Sequence, residues 1–402
     1  MYVTRPLSMY KRNPSALSSA PPEGSNSGIL IIQDEEVDLT CCFCFSKIDF
    51  VKDLPFPQNK NLTVSYTTST ANNGQTTGTG NNGQTINSTN QVIFIPVLNQ
   101  PLSSNRYYVI ERQGKHKGEA HTNAKEEDET TCCFGFCRHN PDKEPQSFDP
   151  KDVYEQFEIC KSKRFGYVSK SVAPDGIPPY FLRRKGWTVS TSTARDFELK
   201  EAAGLDRNLR ARLPDFHLPL SQRSSAPVVV GNWYCPFMFI KEGKLKDQMS
   251  ISRYYEMTLE QRWEQIFASE YNSSEGNSVV VDAVVQRETV AVAGREVAPD
   301  KRNAVDGVMW FRSSGDVGGE ASVGLSLEIV GGMKWEQERA GWLGGGGSDL
   351  TVKRVEEFGG VGGWKKFGCY VLVERFVLRR MDGSLVLTYD FKHTHQVRSK
   401  WE

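Results

Sequence analysis

Two cysteine clusters carry the clearest metal-ligand character in the chain. Cys41-x-x-Cys44 and Cys133-x-x-x-Cys137, with His139 two residues on, offer thiolates and an imidazole at separations a tetrahedral zinc ion uses, provided the two segments meet in space. Each cluster also contains an adjacent pair, Cys41-Cys42 and Cys132-Cys133. Neighbouring residues of a strand point to opposite faces, so such a pair cannot give both sulfurs to one ion. The competing reading is a core in which Phe43, Phe45, Phe134 and Phe136 interleave with small apolar thiols, and lipid attachment to the paired cysteines is a third. We favour core packing with no cofactor, and keep zinc on Cys41, Cys44, Cys133, Cys137 and His139 as the alternative. No catalytic residue is assigned.

Other motifs carry less. Gly78-Thr79-Gly80-Asn81-Asn82-Gly83 spells the dinucleotide fingerprint, but the chemistry needs a strand before it and a helix after it. Here it lies inside a polar repeat, NNGQT at 72–76 and again at 81–85, which reads as an exposed hairpin loop over 72–89, disordered near 70–90. No Walker glycine loop, His-Glu-x-x-His or Gly-x-Ser-x-Gly elbow is present. The six histidines are few for general-base work; His393 and His395 are expected on one face of a solvated strand end. Arg183-Arg184-Lys185, ahead of Gly186-Trp187, is a basic cluster beside an aromatic that could meet phosphate or acidic peptide, though a solvated strand edge is the plainer reading. Three glycosylation sequons, at Asn61, Asn87 and Asn272, matter only in a secreted chain.

The elements that must position these residues follow from length and pattern. With 402 residues the chain exceeds one ordinary core. Its 49 basic and 49 acidic residues cancel, which removes the long-range field of a general nucleic-acid binder. No apolar run reaches the ~18–20 residues of a membrane-spanning helix, and the first residues lack the apolar stretch of a secretory signal. The expected compartment is therefore the cytoplasm, with the nine cysteines reduced. Gly28–Ile32, Leu62–Tyr66, Val92–Ile95 and Tyr107–Ile110 are short, β-branched or aromatic and bounded by turn residues, so they read as strands. An acidic run followed by Cys-Cys-Phe occurs twice, near 34–43 and 126–134, as a duplicated unit would show.

Helix signals gather in the middle. Asp149-Pro150 precedes Val153, Tyr154 and Phe157 as a cap should, and Thr258 with Gln261 forms a capping box ahead of Trp263, Ile266 and Phe267. Beyond Val279, glycines argue against long helices. The firmest element is a hairpin turning at Asp382-Gly383, where a two-residue type I′ turn would set Leu378 against Leu387, Phe376 against Tyr389 and Arg375 against Asp390. The expected fold class is α+β and β-rich, with short antiparallel strands in two or three lobes and a few helices in the middle of the chain. The regions expected are a β-rich 1–150, a mixed 151–278 and a Gly-rich antiparallel 279–402.

The strings Met1-Tyr2-Val3-Thr4-Arg5-Pro6-Leu7-Ser8, Val51-Lys52-Asp53-Leu54-Pro55-Phe56-Pro57-Gln58, Pro101–Ile110, Ser171–Gly176, Trp233-Tyr234-Cys235-Pro236-Phe237 and Glu260-Gln261-Arg262-Trp263-Glu264 resemble a plant protein family catalogued as domain of unknown function 1262. The resemblance implies a soluble plant protein without an agreed activity, so it assigns no role to any residue here. Together these readings describe a non-enzymatic cytoplasmic binding or scaffold protein engaged in stress or defence. Its partner would be an unknown protein or a small ligand. The alternatives are an enzyme of unrecognised type with a Cys-cluster metal site, and a membrane-acting β protein, because the alternation from Val279 to Val292 is that of an amphipathic hairpin.

Overall fold

A computed structural model describes residues 1–34, 49–70, 84–128, 130–132, 137–139, 142–163, 165–271, 276–297, 302–313, 321–342, 344 and 349–402. Strand accounts for 49% of the chain and helix for 16%, in several antiparallel sheets, which makes the fold β-rich. The backbone contacts group it into two compact units: Thr4–Glu201 with Lys244–Ser250, and Met1–Val3, Ala202–Gly243 and Ile251–Glu402. Residues 151–201 thus group with the N-terminal segment.

The first unit is built on a seven-stranded antiparallel sheet. Its strands are β1 (Lys60–Thr70), β2 (Gln84–Pro96), β3 (Arg106–Glu111), β4 (Gln156–Lys161), β5 (Tyr167–Ser171) and β6 (Thr188–Thr193), in the order β5-β4-β3-β2-β1-β6, with Asp49–Phe50 beyond β6. All four runs read as strands from their β-branched content are strands here. β1 and β2 pair from Leu62↔Val92 out to Thr70↔Gln84. Residues 84–89, expected in the loop, therefore belong to the ladder; residues 71–83, including the glycine fingerprint, lie outside the described residues. Phe56, Phe94, Tyr107, Tyr167 and Trp187 fill the core of this unit. Their ring centroids lie 4.8 Å (Phe56–Phe94) to 6.4 Å (Phe56–Trp187) apart, and the Trp187 indole donates to the Leu182 carbonyl at 2.8 Å, so its burial leaves no donor unmet. The helix expected after Asp149-Pro150 is only a single 3-10 turn, Val153–Glu155, capped by Asp152, whose carboxylate accepts from the Tyr154 N–H at 2.8 Å. Phe157 goes into the core as the second residue of β4, because the alternation of Phe157 and Ile159 suits a sheet face. A four-residue helix, α1 (Tyr180–Arg183), follows the proline-rich loop.

The second unit carries the long strands. β7 (Val228–Pro236), β8 (Tyr254–Glu270), β9 (Ser278–Gln286), β10 (Glu288–Val292), β11 (Asp349–Glu357), β12 (Lys366–Arg380) and β13 (Leu385–Trp401) include a meander in the order β7-β8-β12-β13-β10. β9 and β11 pair with each other as a separate ribbon. Short antiparallel strands at 240–241, 302–305, 308–313 and 321–326 make a smaller sheet. Two helices matter below, α2 (Arg207–Arg212) and α3 (Leu327–Arg339).

Two expectations are corrected in this unit. The capping-box segment at Thr258–Phe267 is not a helix but the middle of the seventeen-residue β8. Its spacing of four also fits a period of two: Met257, Leu259, Gln261 and Trp263 all point to one buried face, and pairing with β7 on one side and β12 on the other overrides the local helix signal. The longest helix among the described residues, α3 with thirteen residues, falls in the Gly-rich region and contains Gly331-Gly332. Its Ser326 cap, accepting from the Ile329 N–H at 3.4 Å, and its buried face offset the cost of those glycines.

The β12–β13 hairpin sets Leu378 opposite Leu387, Phe376 opposite Tyr389 and Arg375 opposite Asp390, as the pattern predicts. Its turn differs. Arg380 and Ser384 close a three-residue loop in which the Gly383 N–H donates to the Arg380 carbonyl at 2.9 Å, and only Gly383 has positive φ (84°). That is a type I turn with a glycine bulge. The loop shifts the ladder by one residue, giving Arg379↔Leu385, and a bulge at Val386 shifts it back by Leu378↔Leu387. Two-residue turns with both central φ positive occur instead at Ala293-Gly294 and Asp306-Gly307.

Candidate functional site

A gathering of buried ionisable groups lies on the aromatic face of this meander, around Glu374 of β12. β8, β12 and β13 present Gln261, Glu374 and His393 on that face, and α2 and α3 bring Arg210, Glu336 and Gln337 to it. Asp206 caps α2 by accepting from the Leu209 N–H at 2.9 Å, which fixes the turn that carries Arg210. Arg210 then bridges two carboxylates. Its Nε donates to Glu374 Oε1 at 2.8 Å and its Nη1 to Glu336 Oε1 at 2.6 Å, while Nη2 reaches Glu374 Oε2 and the Glu336 carbonyl. Gln261 Nε2 donates to Glu374 Oε1 at 2.8 Å. His393 Nε2 stands 2.8 Å from Gln337 Oε1 and 3.6 Å from Glu374 Oε2. Arg339 adds a second cation on Glu336 Oε2 at 3.2 Å.

Glu374 and His393 are each only 1% exposed. Burial alone would push the Glu374 carboxyl up, but His393 and the Arg210 guanidinium outweigh it and hold it well below the usual carboxylate range. Both of its oxygens are occupied, so it has no proton to give and no open lone pair facing a cleft. The arrangement clamps three strands and two helices. Two of its polar atoms, Gln261 Oε1 and Gln337 Nε2, are buried without a partner.

The other face of the same strands carries a second charged row. Asp390 accepts from Arg375 Nε at 2.6 Å and from Arg262 Nη2 at 2.8 Å, and Glu264 accepts from Arg262 Nη2 at 2.8 Å and Lys392 at 2.9 Å. A small open cleft of about 180 Å³ lies beside the bulge between Gln265 and Phe267, lined among others by Glu270 and Lys366, which face each other at 3.7 Å. That volume falls below the roughly 300 Å³ at which drug-sized ligand sites begin.

Of the cysteine candidates, Cys41, Cys44 and Cys133 lie outside the described residues. Cys137 and His139 open and close the three-residue strand Cys137–His139, which pairs with Thr130–Cys132 so that Cys132 stands opposite Cys137. Among the described residues no group of three or more His, Cys, Asp or Glu side chains is placed to hold a metal ion. Cys160, Cys235 and Cys369 are free thiols, and burial pushes Cys235 up to about 11, which leaves it inert near neutral pH.

The histidine pair departs from its expected place. His395 is exposed, but His393 is buried against α3, 5.4 Å from the His395 ring. Their pairing is offset by three inserted residues, since β13 jumps from His393↔Leu372 to Val397↔Val371. Sequence reasoning missed the Glu374 cluster entirely. One signal was there: Gln261 occupies an apolar phase of the alternation Met257, Leu259, Gln261, Trp263, and a polar residue on a buried face demands a partner.

With this geometry in hand, the comparisons with known proteins are brief. Residues 23–134 match the model of a family described as a protein of unknown function, DUF1262. No curated protein matches the chain. Among solved structures the chain is similar to the crystal structure of Cry35Ab1, with 10% identity and a TM-score of 0.46 over 86% of this chain and 90% of that one. No helix of the described residues is long and apolar enough to cross a membrane.

Proposed function

We propose that the chain is a non-enzymatic binding or scaffold protein of the plant cytoplasm, acting in stress or defence. The observation that carries this reading is the pairing of both Glu374 oxygens within a buried cluster. Catalytic groups stand at the wall of a cleft, whereas here Glu374 and Glu336, each with a side-chain exposure of 1%, are balanced by Arg210 and Arg339. Buried ion pairs of this kind favour one packing arrangement over others, as a scaffold needs. The plant and stress attributions rest on the family resemblance alone, and the cytoplasmic one on the free thiols of Cys160, Cys235 and Cys369.

The test is incubation of the full purified chain with fractionated plant extract, followed by mass spectrometry of both small molecules and proteins. A binding protein retains a partner in fixed stoichiometry and depletes nothing beyond that amount. Catalytic depletion of a metabolite, with appearance of its product and loss of both in Glu374→Gln, would replace this reading with an enzyme.

A further inference from the structure

The basic cluster Arg183-Arg184-Lys185 has a neighbour that the sequence does not reveal. β4 and β5 form a hairpin whose last pair is Lys161↔Tyr167, closed by the Ser162 N–H donating to the Gly166 carbonyl at 2.8 Å. Gly166 has φ +68°, and a Cβ there would lie 2.8 Å from the carbonyl carbon of Gly186. The hairpin turn is therefore pressed against the turn that follows α1. Two further backbone bonds, Tyr167 N–H to the Trp187 carbonyl and Gly186 N–H to the Tyr167 carbonyl, both 2.8 Å, lock the two turns side by side. Phe165 of one turn thus adjoins Gly186 of the other, next to Lys185.

This double turn exposes what a chain normally hides. Phe165 is 69% exposed and Tyr180, at the start of α1, is 47% exposed. Lys163 and Lys185 are exposed and form no ion pair among the described residues. Arg183 meets Asp142 at 3.8 Å, and the Arg184 guanidinium lies over the rings of Tyr66 (4.4 Å) and Tyr180 (4.2 Å). Stacking between the two rings holds that cation in place. Asp142 answers Arg183 and Asp53 answers Lys161.

We propose that these two turns are a docking surface for an anionic lipid bilayer. Phe165 enters the boundary between headgroups and acyl chains, and Lys163 and Lys185 face the lipid phosphates and carboxylates. A phenyl ring on a protruding turn has no polar atom to satisfy and gains only by leaving water, which a bilayer allows without a preformed groove. An acidic peptide would need a groove or channel to cover that ring. Cations around an apolar tip match the negative surface potential of a cytoplasmic leaflet. The proposal does not depend on the reading of the chain as a non-enzymatic binding protein.

The test is sedimentation of the full chain with vesicles of phosphatidylcholine alone and with vesicles containing about 30% phosphatidylserine, a composition that carries the anionic surface in question. Binding is expected to the anionic vesicles only, and to fall as salt rises from about 0.1 to 0.5 M. Phe165→Ser should weaken it about tenfold. The pair Lys163→Glu with Lys185→Glu should weaken it by more than tenfold, at roughly fivefold for each cation lost. Both variants change exposed side chains, and circular dichroism melts confirm that they fold; if Phe165→Ser does not, the charge-reversal pair decides alone. Equal binding to neutral vesicles, no binding to anionic ones, or binding that both folded variants retain overturns the proposal. So does retention on an acidic peptide resin without vesicle binding.

Discussion

Arg375 of β12 and Asp390 of β13 stand directly opposite each other and join through two hydrogen bonds, Nε to Oδ1 at 2.6 Å and Nη2 to Oδ2 at 2.8 Å. Arg262 of β8 takes a further bond to Oδ2, so one carboxylate holds three adjacent strands. Burial opposes ionisation of Asp390, but Arg375 and Arg262 hold it below the usual range. Asp390→Ala leaves the half-buried Arg375 without its carboxylate and Arg262 with Glu264 alone, and is expected to cost about 3 kcal/mol in urea denaturation. Its folded value is the depressed one, so its contribution is whole above pH 3.8, the ordinary value, and disappears as pH falls through the lower folded value. Wild type should lose stability through that acid window more steeply than the variant.

Glu155 behaves in the opposite sense. Burial pushes its carboxyl up to about 8, although the Asp149 N–H donates to Oε2 at 3.0 Å and Gln146 Nε2 to Oε1 at 3.4 Å. The folded value lies above the ordinary 4.5, so stability from this group is whole below pH 4.5 and is lost as pH rises through about 8. Glu155→Gln keeps the shape without the titration. Thermal melts should show the variant matching wild type near pH 5 and exceeding it near pH 9, by about 1 kcal/mol or more.

Gly383 is the one left-handed residue of the β12–β13 turn, and a Cβ there would meet nothing within 4 Å. The cost of Gly383→Ala is then conformational strain alone, about 1 kcal/mol, with Gly383→Asn costing less. Equal loss in the two variants would show a packing effect instead.

The cysteine clusters are open to elemental analysis of protein purified without added metal. Core packing predicts no zinc above background. One zinc per chain, lost together with folding when Cys41, Cys44, Cys133 and Cys137 become Ser, would establish the metal site instead.

The hairpin at Asp382-Gly383 was legible because its two periodicities and its turn all lie within about twenty residues, so local pattern and tertiary pairing agree. The segment around Thr258 was misread because both a helix and a strand satisfy its apolar spacing, and only the partners on either side decide between them. α3 was hidden by Gly331-Gly332, whose low propensity its buried face and its Ser326 cap override. The Glu374 cluster was out of reach for a different reason. Arg210 sits 164 residues from Glu374 and His393 sits 56 from Gln337, and no spacing rule links residues so far apart.

The turn at Gly383 and the bulge at Val386 are each out of phase by one residue, and they cancel. Side chains alternate between faces with every residue, so either irregularity alone would transpose the inner and outer faces of β13 beyond Leu387. Asp390 would then lie in the aromatic layer, and Phe391 would face Arg375 and Arg262. Excising Val386 alone removes the bulge but keeps Arg379↔Leu385 next to Leu378↔Leu387, so the distal pairing stays in step, whereas deleting Thr388, inside the regular ladder, is a frame error for everything beyond it.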